Sequence, residues 1–311
     1  MSSDDPARSP AMPPAGSPAR ALADSLARLY DVDLLDDPGD LDLYLALAAR
    51  TGGPILELAV GSGRLAVPLA VAGHDVTGVD LDPAMLARAN ARAHLEGPDV
   101  AARLHLVEAD AREIRLPQAG RFQLAFIALN SLLIMGGRDD QRAVLETMAA
   151  HLAPDGLAVV DVWLPDADAL TRYDGRLGLE YVRADPETAA TVLKLASARH
   201  DATTSTIELT AIYDEGPPGA SPVRWVREDT LRLVGAAELR AIAVEARLRV
   251  EVIAGAYDLE PLQPGDDRAI LVARASGREP TAGREPTTRS TRTTTPRPGA
   301  EAGQGRPRRL V

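Results

Sequence analysis

Between Ile55 and Ala70 the chain reads ILELAVGSGRLAVPLA: an apolar run, a Gly-Ser-Gly turn, and apolar residues resuming at helical spacing. A strand that ends in such a turn and continues as a helix lets backbone N–H groups and a helix N-terminus come close to a bound ligand. Gly61, Gly63 and Ala66 satisfy G-x-G-x-x-[GA], and Asp80 ends the next apolar run, where an acid can take ribose hydroxyls. Taken alone, the pattern fits an NAD-type dinucleotide site or an ordinary tight turn. Glu57 separates the readings. An ionised acid in the strand before a pyrophosphate turn would face an anionic ligand, whereas a ligand carrying an ammonium group and a sulfonium favours one.

Other chemistry is thinly represented. The chain has no cysteine, which excludes a thiol nucleophile and a disulfide framework, and no G-x-S-x-G elbow marks a serine nucleophile. The histidines His74, His94, His105, His151 and His200 are scattered without ligand spacing, so no metal site is expected, and His74 and His151 read as solvated residues in turns beside helices. Aromatic residues make up only 3% of the chain, and their faces attract cations. Tyr30 and Trp163 are the leading candidates for contact with a substrate, followed by Tyr213 and Trp225. Tyr44 and Tyr257 read as packing residues at least as readily. Arg224, Arg227 and Arg232 alternate along one stretch and could hold a carboxylate or phosphate, but they read first as its solvated face.

The elements that must position these residues alternate between strand and helix. Strand-like runs at Ile55 to Val60, His74 to Val79, Ala102 to Val107, Gln123 to Ala128 and Leu157 to Val162 are interleaved with helical patterns at 64–72, 83–94 and 138–151. This order predicts a Rossmann-like, doubly wound α/β fold with a mainly parallel sheet. After Trp163 the period changes to alternation over 191–198, 206–214 and 223–234, an antiparallel insertion assigned to residues 171–234. A helix over 236–246 and a hairpin over 249–254 and 269–275 complete a seven-stranded sheet. Two helices, 21–31 and 41–49, precede the first strand.

Composition bounds the class. With 311 residues and 45% apolar content the chain can bury a large core, assigned to a domain over 21–275. Residues 1–20 are rich in Pro, Ser and Ala, and residues 276–311 in Thr, Arg, Pro and Gly; both are expected to be disordered tails. From Gly277 to Val311 eight arginines face three acids, so the rest is more acidic than the overall charge of -11. An acidic body argues against nucleic-acid binding. No run of about 18 apolar residues suits a membrane span, and the expected location is cytoplasmic. Sequence leaves the oligomeric state open.

Five segments in order resemble the class I S-adenosylmethionine-dependent methyltransferases. ELAVGSG, 57–63, resembles the family's E/D-x-G-x-G-x-G with Ala59 in place of the first glycine; GVDLDPAML, 78–86, resembles the second motif; VEADARE, 107–113, the third; FQLAFIALNSLL, 122–133, the fourth; and HLAPDGLAVVDV, 151–162, the turn into strand five. The resemblance implies S-adenosyl-L-methionine as cofactor, held by Glu57, Ala59, Gly61, Gly63 and Arg64 along the first turn. It implies Asp80 at the ribose hydroxyls with Leu81 and Met85 also at the cofactor, Asp110 and Ala111 at the adenine edge, and Asn130 and Ser131 near the reactive methyl. The insertion and the Tyr30-Asp31 helix resemble the small-molecule branch that includes glycine, sarcosine and amino-sugar N-methyltransferases. The implied activity is direct methyl displacement onto a small molecule, nitrogen ahead of oxygen, with no protein nucleophile required. The alternatives are an NAD-type oxidoreductase and a noncatalytic protein that binds the same cofactor.

Overall fold

The computed structural model describes residues 17–217 and 221–276. In chain order the elements are α1 (Pro18–Asp33), α2 (Leu41–Thr51), β1 (Ile55–Leu58), α3 (Ala66–Val71), β2 (Val76–Asp80), α4 (Pro83–Leu95), α5 (Pro98–Arg103), β3 (Leu104–Glu108) and β4 (Phe122–Ile127). A 3₁₀ turn, Ser131–Ile134, leads to α6 (Arg138–His151) and β5 (Leu152–Trp163). Then come α7 (Ala167–Arg172), β6 (Asp174–Ala184), β7 (Thr191–Asp201), β8 (Thr206–Gly216), β9 (Val223–Arg232), α8 (Ala236–Glu245), β10 (Leu248–Ala254) and β11 (Arg268–Ala275).

The main sheet has seven strands in the order β10-β11-β5-β4-β1-β2-β3. Strands β1 to β5 pair in parallel, and β11 runs antiparallel to both β5 and β10. This is a doubly wound α/β sheet of the Rossmann type, and its order reverses between β1 and β4, the place where such sheets open a crevice. Both faces are buried, as parallel sheets require. Along β5, Ala158, Val160 and Val162 pack toward α6 and α8, while Leu157 and Val159 pack with residues of α2 and α3. By the same alternation Glu57 and Asp161 fall on the α2 side.

A second, antiparallel sheet runs β6-β7-β8-β9. One face is covered by α1: Leu29 and Val32 are buried with Val192, Ala211 and Tyr213, and Tyr181 and Trp225 pack against them. The insertion therefore has four strands rather than the three expected. Strand β6, DGRLGLEYVRA, was missed because its two glycines weaken the strand pattern and, as an edge strand, it buries little.

Boundaries differ from expectation in instructive ways. The N-terminal helix starts at Pro18, with Ser17 Oγ accepting from Arg20 N at 3.3 Å, so residues 18–20 belong to it rather than to a tail. Ala102 and Arg103 end a short helix, and β3 begins only at Leu104. Residues 1–16 and 277–311, most of the two segments expected to be disordered, lie outside the described residues.

His151 is a second correction. It ends α6 fully buried, not solvated in a turn. Nδ1 donates to the Thr147 carbonyl at 2.7 Å while Nε2 accepts from Leu116 N–H at 2.9 Å. Only the neutral ring satisfies both, because a proton on Nε2 would oppose the Leu116 N–H. Burial holds its pKa below the ordinary histidine value. The unfolded chain takes up a proton near pH ~6.5 that the folded one resists, so this contribution is present above that pH and is lost as pH falls. Thermal midpoints should drop between pH 7 and 5, and His151→Gln should flatten the slope by at most about 1.4 kcal/mol per pH unit. An unchanged slope in the variant would exclude this role.

Candidate functional site

The crevice is built on the turn after β1. Ala59 (φ 56°), Gly61 (φ 54°) and Gly63 (φ 79°) all take left-handed backbone, which swings the chain away from β1 and back into α3. At Gly63 a Cβ would stand 3.0 Å from Ala89 Cβ and 3.1 Å from Val67 Cγ2, so glycine there lets the turn pack against α4. At Gly61 the space a Cβ would enter is bordered by the Tyr30 ring and hydroxyl, 3.8 Å away. Ala59, where the resembling family has glycine, keeps the glycine conformation despite its Cβ.

Carboxylates surround this turn. Asp80 Oδ2 accepts from Gly61 N–H at 2.8 Å and Oδ1 from Asp82 N–H at 2.9 Å. Burial pushes its pKa up, and these amide bonds oppose the shift. Arg64 reaches Asp40 with both terminal guanidinium nitrogens, Nη1 and Nη2, at 2.6 and 2.7 Å, and Asp40 is fully buried. Glu57 is only 4% exposed, and its Oε2 has no hydrogen-bond partner. Burial raises its pKa well above the carboxylate range, with Arg64 only partly opposing the shift. The Tyr44 hydroxyl, on α2 over Phe126, is likewise buried without a partner. Tyr30 is pushed up to about 12, chiefly by burial.

Helix α1 closes over one side. Ser62 Oγ donates to Asp31 Oδ1 at 2.5 Å, and Asp31 Oδ2 accepts from Arg88 Nε at 2.8 Å, joining α1 to the turn and to α4. Asp33 accepts from the hydroxyls of Tyr181 at 2.6 Å and Tyr213 at 2.7 Å and pairs with Lys194 at 3.1 Å. One helix thus touches both the glycine turn and the second sheet.

The remaining expected residues fall in mixed positions. Leu81 is exposed beside Asp80, Met85 is half-buried on α4, and Ala111 is buried just beyond β3. Asp110 is held by Arg112, whose Nη2 lies 2.5 Å from Oδ2, and its pKa is lowered by that pair. Asn130 does not point a free amide oxygen at the crevice: Oδ1 accepts from Trp163 N–H at 2.6 Å. Ser131 opens the 3₁₀ turn. Trp163 stacks edge-on against Tyr173, centroids 5.9 Å apart.

Tyr213 and Trp225 lie on the second sheet. They are paired across β8 and β9 and therefore share one face, the face α1 covers. Tyr213 is 2% exposed and bonded to Asp33, and Trp225 Nε1 donates to Glu215 at 3.1 Å. Both pack with Leu29 and Val32 of α1. Arg224, Arg227 and Arg232 are each engaged, by Asp214, Asp229 and Glu238 respectively, so none is set aside for an anion. Sequence reading missed Asp40 and Asp161. For Asp161 the available signal was an acid inside an apolar strand, LAVVDVW, the same irregularity that marked Glu57.

The fold and turn together define a class I methyltransferase architecture. Residues 55–156 match the family described as "Methyltransferase domain", and the chain shares the fold of solved S-adenosylmethionine-dependent methyltransferases. It is 37% identical over 136 residues to the carboxy-S-adenosyl-L-methionine synthase of Chromohalobacter salexigens, covering 41% of this chain and 47% of that one. It is 29% identical over 203 residues to the dTDP-3-amino-3,4,6-trideoxy-alpha-D-glucopyranose N,N-dimethyltransferase of Streptomyces venezuelae, covering 65% and 77%. The solved CcbJ methyltransferase of Streptomyces caelestis shares the fold at TM-score 0.64 and 23% identity, over 77% and 96% of the two chains. The chain spans about half the length of the first curated relatives it matches.

The left-handed Ala59 gives a direct test. A Cβ in that region costs about 1–2 kcal/mol, against about 0.5–1 kcal/mol for the added chain entropy of glycine. Ala59→Gly should therefore raise stability by up to about 1.5 kcal/mol, read as a higher urea midpoint at unchanged slope. A lower midpoint would contradict the strain at this position.

Proposed function

We propose that this chain transfers the methyl group of S-adenosyl-L-methionine to a small-molecule acceptor, nitrogen ahead of oxygen. The observation that carries the reading is Glu57: a buried carboxyl at the end of β1 with one oxygen unpartnered and its nearest arginine committed to Asp40. A buried carboxyl with an unpartnered oxygen is costly, and an incoming ammonium group supplies the partner. The pyrophosphate of a nicotinamide cofactor would add repulsion instead.

In this reading Glu57 holds the amino group, the Gly61–Gly63 backbone admits the amino-acid end, and Asp80 takes the ribose hydroxyls. Leu81 and Met85 flank the adenine, and Ala111 and Asp110 meet its edge. Asp110 must leave Arg112 to do so; that ion pair is partly exposed, so opening it costs little. When bound, the cofactor supplies an activated methyl carbon, and what the chain contributes is alignment and exclusion of water. Tyr30, over Gly61, and Trp163, at the end of β5, border the acceptor side. Residues 171–234, with α1, act as the lid. The N,N-dimethyltransferase name of the Streptomyces venezuelae relative supports a nitrogen acceptor.

Calorimetry with S-adenosylmethionine should show saturable binding that Asp80→Ala weakens at least about tenfold, since each charge-assisted bond is worth roughly 1.5–3 kcal/mol. Glu57→Gln should weaken it comparably. Binding of NADH in preference to S-adenosylmethionine would reject the proposal.

A further inference from the structure

The segment that follows β4 contains two consecutive non-glycine residues in the left-handed region, Leu129 at φ 47° and Asn130 at φ 68°. Such backbone persists only where its surroundings over-determine it, and it gathers at functional sites. We propose that Asp161 is the positioning residue that holds this strained turn, and through it Asn130 and Ser131, against the reacting methyl group. The proposal rests on the methyltransferase reading above and adds a residue to it.

Asp161 is fully buried near the end of β5, and every polar atom it offers toward this end is used. Oδ2 accepts from Leu129 N–H at 3.3 Å and from the Tyr257 hydroxyl at 3.3 Å. Oδ1 accepts from Arg268 Nη1 at 2.6 Å. Its backbone carbonyl accepts from Asn130 N–H at 3.1 Å, and Asn130 Oδ1 completes the ring by accepting from Trp163 N–H at 2.6 Å. Both left-handed residues thus donate their amides to the same aspartate. The two groups that fix the carboxylate come from the far end of the chain: Arg268 opens β11, in register with Trp163, and its guanidinium lies 4.9 Å from the Tyr257 ring centroid.

The arrangement separates Asp161 from Glu57, which also lies on the α2 side of the sheet. Glu57 keeps an oxygen unpartnered, as a ligand-binding group does. Asp161 has donors on both oxygens and is closed to solvent, so its effect on chemistry must pass through the turn. Its charge matters for geometry. An asparagine would turn its carbonyl to Arg268 and leave its NH₂ facing the Leu129 N–H, donor against donor. The turn would then lose one of its supports while the fold kept a side chain of the same size.

The test is a double-mutant cycle on the full chain with Asp161→Asn and Leu129→Gly, because glycine adopts the left-handed backbone without strain. Two readouts are taken: the unfolding equilibrium in urea, and the ¹³C resonance of the methyl group in bound, methyl-labelled S-adenosylmethionine. Asp161→Asn should move the methyl resonance in wild-type background and move it back toward the wild-type position once Leu129→Gly is added. Its effect on the unfolding constant should be smaller in the glycine background by about fivefold or more. A purely structural aspartate would lower stability equally in both backgrounds and leave the resonance in place, which would overturn the proposal. If the unmutated chain binds no S-adenosylmethionine, the methyltransferase reading fails. The urea cycle then still decides whether Asp161 holds the turn, and additive effects would overturn that part.

Discussion

The structure depends on how carboxyl groups are partnered where the parallel strands end. Moving an acid out of water is costly, and at this end of the sheet four acids are largely or wholly buried. Three solve the problem internally. Asp40 takes both arms of Arg64, Asp161 takes Arg268, and Asp80 is bound by backbone amides of the two loops beside it. Glu57 keeps one oxygen without a partner, and burial favours its neutral form. The site is thus defined less by an accumulation of charge than by one missing partner.

The glycine turn and helix α1 build the geometry around that vacancy of charge. Left-handed backbone at Ala59, Gly61 and Gly63 keeps side chains out of the space above β1, and Tyr30 from α1 borders it. The same helix is fixed at three points. Arg28 pairs with Asp185 and Glu215, Asp31 bonds Ser62 and Arg88, and Asp33 is the acceptor for two tyrosine hydroxyls and the lone lysine of the chain. The helix thus joins the second sheet to the glycine turn.

The strained end of β4 completes this picture on the opposite side of the crevice. Leu129 and Asn130 hold conformations they would not adopt alone, and the groups that hold them belong to β5, to β11 and to the loop between β10 and β11. For the proposed methyl transfer such rigidity would matter, because displacement at a methyl carbon is sensitive to small errors of position. The final hairpin, which contributes no cofactor motif, enters the argument through Arg268 and Tyr257.

Much of the fold could be read from sequence because its signals are local. Period-two apolar runs, helical spacing and the E-x-x-x-G-x-G turn gave the alternating sheet, the crevice at β1 and the acids at Glu57 and Asp80. What sequence could not decide were pairings between distant segments. Tyr213 and Trp225 look like pocket aromatics until the β8–β9 register puts them on one face and α1 covers it. His151 looks like a surface residue until the Leu116 amide is brought to its Nε2. Arg64 and Arg268 are two arginines among many until each meets a buried acid, 24 and 107 residues away. Backbone preference and apolar period are properties of neighbouring residues and are written in the chain. The partner of a buried charge is chosen only when the packed sheet excludes water and leaves each acid with the donors within its reach.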